Sequence, residues 1–146
     1  MEKFITSDQI KLVKKSFAKL EPLMEEAGVL FYARLFELDP SLRPLFKNDI
    51  REQGGKLLEM LGLVVDALDD FDKFLPVLRE SGIRHANYQV EERHYETVAE
   101  ALWWMFEAAL EEDFTVETKK AWIIVYDQMA RTMKDAARHS AEKTPH

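Results

Sequence analysis

Four histidines are the first residues to examine for chemistry: His85, His94, His139 and His146. An imidazole can ligate a metal, shuttle a proton or act as a base. His139 and His146 lie in a polar C-terminal stretch and receive no role. His85 follows Ser81-Gly82-Ile83-Arg84 and precedes a break over residues 87–90. His94 stands beside Tyr95 where a new helix opens. Taken alone, His85 reads as an ordinary partly buried histidine, and His94 is equally bland.

Glu91-x-x-His94 has the i, i+3 spacing of a di-iron helix ligand pair. Such a site needs a second pair and two more carboxylates, and no second Glu-x-x-His occurs. The two-histidine zinc helix is missing too. So are the Gly-x-Ser-x-Gly elbow, the phosphate loop and the Gly-x-Gly-x-x-Gly fingerprint. Gly54-Gly55 near a helix start has no phosphate-binding framework around it and reads as helix permissiveness.

The elements that must position these residues are helices. Thr6-x-x-Gln9 has the form of a capping box ahead of Ile10, Val13, Phe17 and Leu20, which share one helical face. Pro22 bends the chain into a helix carrying Met24, Phe31, Leu35 and Leu38, ended by Asp39-Pro40 because the residue before proline avoids helical angles. A short turn covers Ser41 to Phe46. The next helix is expected from about Ile50 to Leu68, with Leu57, Leu61, Val64, Val65 and Leu68 on one face. Asp69-Asp70 caps a segment through Phe74, Val77 and Leu78 that loosens around Gly82. A long helix is expected from about Glu91 to Leu110, and Thr115 opens a last one striped by Trp122, Tyr126, Met129 and Met133. The tail after His139 is expected to fray.

No strand-like alternation, internal repeat or linker interrupts this pattern. The fold class is therefore all-α, one domain over residues 1–146, with about seven helices. Short helices in the first half and long ones in the second argue against an up-down bundle. A chain of this length buries roughly 70% of its unfolded surface, enough for a core plus a pocket.

Composition narrows the partners. A net charge of −7 repels phosphate backbones and anionic lipid, so neither nucleic acid nor membrane is expected. With no cysteine, disulfides, thiolate metal sites, cysteine nucleophiles and thioether-linked groups all drop out. The N-terminus lacks a signal-peptide pattern, and no apolar stretch approaches the ~20 residues of a membrane span. A soluble, cytoplasmic protein is expected. Trp103, Trp104 and Trp122 read as packing residues; the first two point about 100° apart on their helix, so one can be exposed.

Leu30-Phe-Tyr-Ala-Arg-Leu-Phe36, Asp39-Pro40 with Pro44-Leu-Phe46, Arg84-His85, His94-Tyr95 and Ala121-Trp122 with Tyr126 together decide more than any piece alone. In this order and spacing the chain resembles the bacterial single-domain globins and the haem domain of flavohaemoglobins, from about Ile10 to Ala136. The resemblance implies a globin fold, a three-over-three helical sandwich, holding haem b (iron protoporphyrin IX). It makes His85 the proximal iron ligand. Tyr32 and Gln53 become the polar groups over the open iron position, with Leu57 as the apolar wall beside the gas. Phe46 packs on the haem, Tyr95 lies on the proximal side, and Lys56, Leu61, Val90, Val98 and Tyr126 complete the cofactor-binding set.

Oxygen, nitric oxide and carbon monoxide are the implied ligands. Oxygen draws negative charge from ferrous iron, so two donors aimed at it, each worth ~1.5–3 kcal/mol, imply tight binding and slow release. The expected function is reversible, high-affinity oxygen binding for storage or delivery. The alternative is nitric oxide removal as nitrate, which needs a separate reductase because this chain carries none. A haem-based gas sensor ranks third, since no output domain is attached. One position departs from the flavohaemoglobin pattern: the glutamate that bonds the proximal histidine is replaced by Ala137. Peroxidase-like chemistry loses support, and His85 is expected to donate to a carbonyl of its own helix, such as that of Ser81.

Overall fold

A computed structural model describes residues 4–45, 49–87 and 90–143, with the side chains of residues 87 and 141–143 left out. All regular structure among the described residues is helical. Helix α1 spans Ser7–Leu20 and opens with the expected reciprocal cap: the Thr6 hydroxyl accepts from the Gln9 amide at 3.1 Å, and the Thr6 amide donates to Gln9 Oε1 at 3.0 Å. A single 3-10 turn, Glu21–Leu23, bends the chain at Pro22 into α2, Met24–Leu38. Asp39 is extended, at φ −147° and ψ 90°, as a residue before proline must be, and the tight turn Pro40–Leu45 follows.

Helix α3 runs Ile50–Ala67, its first turn capped by the Asp49 carboxylate accepting from the Arg51 amide at 2.8 Å. The chain then descends through 3-10 turns, Leu68–Phe74, kinked at Asp70, into α4, Leu75–Asn87. Helix α5 covers His94–Leu110 and α6 covers Val116–Lys143, with Thr115 Oγ1 accepting from the Thr118 amide at 3.2 Å where α6 begins.

The principal helix pairs are α4 with α6, α2 with α3, and α2 with α5, while α1 lies against α6. Trp122 ties the last pair together: its indole N–H donates to Ser16 Oγ at 2.7 Å, and the Ser16 hydroxyl donates to the Val13 carbonyl at 2.9 Å. Both side chains are buried, so the pairing satisfies polar atoms that would otherwise be desolvated without a partner.

Several sequence expectations shift. Leu38 and Val77, expected among the apolar residues of their helices, are 36% and 42% exposed. Helix α4 does not loosen at Gly82; it continues unbroken to Asn87. Helix α5 starts at His94 rather than Glu91, and α6 runs on past His139 to Lys143 instead of fraying there. Of the adjacent tryptophans, Trp104 is the exposed one, and Arg34 stacks on it with its guanidinium carbon 5.6 Å from the ring centroid.

Candidate functional site

His85 sits in the last turn of α4. Its Nδ1 lies 2.7 Å from the Ser81 carbonyl oxygen and 3.4 Å from Ser81 Oγ. A carbonyl can only accept, so Nδ1 carries the proton and donates it. In the neutral ring Nε2 is then the unprotonated nitrogen, with its lone pair open to coordination, and the residue as a whole is exposed. That is the form in which a neutral imidazole coordinates a metal. The carbonyl expected to receive this proton is the one that does.

Helices α2 and α3 cross at two glycines. A Cβ built on Gly28 would stand 2.7 Å from the Gly54 Cα, and one on Gly54 equally close to the Gly28 Cα, so the backbones touch where any side chain would hold them apart. Tyr32 lies one turn beyond Gly28, and Gln53 immediately precedes Gly54. The crossing therefore fixes both residues relative to each other. Gly54 serves this close approach, which corrects its reading as mere helix permissiveness, whereas a Cβ on Gly55 would meet nothing within 4 Å.

Tyr32 is buried against Phe31 and Phe36, with ring centroids at 4.8 and 5.9 Å. Burial pushes its phenol up to about 12, which keeps it a neutral O–H donor throughout the physiological range. Gln53 is half-buried in the first turn of α3. Leu57 is half-buried one turn on, Leu61 is buried one turn further, and Lys56 is exposed. Phe46, expected on the haem face, lies outside the described residues.

The remaining expected residues gather around the start of α5. Val90, Tyr95 and Val98 are half-buried. The Tyr126 hydroxyl, on α6, donates to the Tyr95 carbonyl at 2.6 Å, and burial raises its phenol well above the ordinary value. Tyr95 is also raised, by burial first and by the nearby Glu92 carboxylate second. Lys134 Nζ stands 5.7 Å from the centre of the Tyr95 ring. Glu92 pairs with Arg138 at 2.5 Å, which holds its carboxyl below the usual range. Glu92, in the turn before α5, is the carboxylate that acts on Tyr95, and Arg138 already engages it.

His94 and Glu91 take structural roles. The Glu91 amide donates to His94 Nδ1 at 2.9 Å and the His94 amide donates to the Glu91 carbonyl at 3.0 Å, a reciprocal entry into α5. The Glu91 carboxylate goes to Arg93 Nε at 2.5 Å. Among the described residues no three His, Cys, Asp or Glu side chains gather as a metal cluster.

A lone imidazole with a free Nε2, a buried neutral phenol and an apolar helix interior suit a large apolar group that needs one protein bond to its metal. These residues fit haem. A sequence model of the family described as Globin matches residues 29–133, most of the chain. The chain belongs to the globin family.

Globins bind haem and diatomic gases, and the all-α architecture is the globin fold. This globin is 26% identical to a neuroglobin of Tetraodon nigroviridis, covering 91% of this chain and 92% of that one. It is equally identical, at 26%, to a neuroglobin of Danio rerio over the same shares of the two chains. Among solved structures it is similar to a bacterial globin from Campylobacter jejuni, with a TM-score of 0.81 and 23% identity, covering 94% of this chain and all of the other. No helix among the described residues is long and apolar enough to cross a membrane.

Sequence reasoning missed two features of the site. The Ser81 hydroxyl beside His85 Nδ1 carried a weak signal, since serine at i−4 can face the histidine on a helix. The Gly28–Gly54 contact carried none, because the partners are far apart in sequence.

Proposed function

We infer that this globin holds haem b through His85 Nε2 and binds oxygen reversibly and tightly, with Tyr32 and Gln53 as the distal donors. The single observation that carries this reading is the buried phenol of Tyr32, kept neutral by desolvation beside the Gly28–Gly54 crossing. Haem, when bound, supplies the open iron position at which a diatomic gas is held.

The chain's own residues do the rest. His85 anchors the cofactor, and its Nδ1–H bond to the Ser81 carbonyl fixes the tautomer and the ring rotation. Tyr32 O–H and the Gln53 amide donate to a ligand that gathers negative charge, so they favour oxygen over carbon monoxide. Leu57 and Leu61 exclude water, which would otherwise compete for those donors. Val90, Tyr95, Val98 and Tyr126 contribute the apolar and aromatic enclosure, and the exposed Lys56 suits the cofactor's carboxylates.

The test is a visible spectrum of the purified protein, reduced and then exposed to air for an hour. A lasting oxygenated spectrum, distinct from both the ferric and the unliganded ferrous ones, supports tight, protected oxygen binding. Rapid conversion to the ferric spectrum overturns it.

A further inference from the structure

Helix α4 and helix α6 meet more extensively than any other pair, and at one point they meet backbone to backbone. A Cβ on Gly82 would stand 2.3 Å from the Met133 carbonyl oxygen, 2.6 Å from its Cα and 2.7 Å from its carbonyl carbon. No rotamer change relieves a clash with main-chain atoms. Ordinary contact begins at 3.4 Å, so any side chain at residue 82 must move one helix by about 1 Å.

Gly82 lies one turn before His85, and Ser81, the neighbour of Gly82, receives the His85 Nδ1 proton. Ser81 and Gly82 are both buried while His85 is exposed, so the same turn of α4 rests on α6 and carries the imidazole on its open flank. A rigid helix transmits a displacement at Gly82 to His85 one turn away.

We propose that Gly82, seated on the backbone of Met133, is the positioning residue for the proximal histidine. It sets where His85 Nε2 stands on the open flank of α4, and so how the imidazole would be presented to haem. The proposal rests on His85 being the haem ligand.

The experiment is resonance Raman of the unliganded ferrous holoprotein, reading the iron–imidazole stretch, together with stopped-flow oxygen release. In Gly82→Ala the stretch moves to lower frequency and release quickens by about tenfold. Gly62→Ala is the control: its Cβ would meet only the Phe17 ring, at 3.3 Å, in the α1–α3 contact. Whatever its effect on stability, it leaves the stretch unmoved. An unmoved stretch in Gly82→Ala, with stability loss alone, overturns the proposal. Met133→Ala tests the same seat without an added methyl and applies even where Gly82→Ala does not fold. It keeps the backbone contact, so the stretch stays at the wild-type frequency; a shift there means side-chain packing positions α4, and the proposal falls. If wild-type protein shows no iron–imidazole stretch at all, the ligand assignment fails first and takes this inference with it.

Discussion

The Nδ1 of His85 donates to the carbonyl of Ser81 at 2.7 Å, one helical turn away. This bond decides which ring nitrogen of the neutral imidazole is available to a metal, and it uses the second lone pair of a carbonyl inside the helix, one turn back along α4. The imidazole is thereby oriented by a main-chain carbonyl of its own helix rather than by a carboxylate.

His85→Ala is expected to abolish the ferrous iron–imidazole spectrum and to reduce haem retention during purification. Free imidazole restores the five-coordinate spectrum, because the cavity left by the ring matches it. A native spectrum without added imidazole rules out His85 as the ligand.

Tyr32→Phe removes one donor while keeping the buried ring. A hydrogen bond to a charged acceptor is worth ~1.5–3 kcal/mol, so oxygen release should quicken by about tenfold or more, with carbon monoxide release changing far less. Stopped-flow displacement measures both. Equal changes for the two gases mean that the phenol acts by bulk rather than by its proton.

The same phenol links stability to alkaline pH. Its value is about 12 in the folded protein against about 10 for an ordinary tyrosine, so the folded state holds the proton more tightly. The stabilisation is fully present below about pH 10 and is lost as pH rises toward 12. Urea unfolding across this range should fall more steeply for wild type than for Tyr32→Phe. Parallel curves would falsify the link.

The adjacent glycines 54 and 55 should respond oppositely to alanine. Gly54→Ala forces a methyl against the Gly28 backbone and is expected to cost more than about 2 kcal/mol. Gly55→Ala enters open space in a helix and should stabilise by about 0.5–1 kcal/mol. Thermal or urea unfolding of the two variants decides it. Matching signs mean that the crossing does not depend on close backbone approach.

The order and period of apolar residues made the all-α class and most helix bounds legible. Thr6-x-x-Gln9, Pro22 and Asp39-Pro40 each impose a local condition on the backbone that tertiary packing did not need to override. The candidate residues Tyr32, Gln53 and His85 were legible only through the resemblance to the globins, whereas the His85–Ser81 bond is a local one, within i, i+4 reach on one helix. These are all local or near-local properties, set within a few turns of chain.

What the sequence withheld depends on residues far apart along the chain. Gly28 against Gly54 and Gly82 against Met133 are contacts of backbone with backbone, and a glycine looks the same in sequence whether it touches a neighbour or faces open space, as Gly55 does. The Ser16–Trp122 bond, the pairing of Glu92 with Arg138 and the exposure of Leu38, Val77 and Trp104 likewise follow from where whole helices cross. Periodicity gives each helix an apolar face; only the packed structure decides how far that face is covered and where two helices touch.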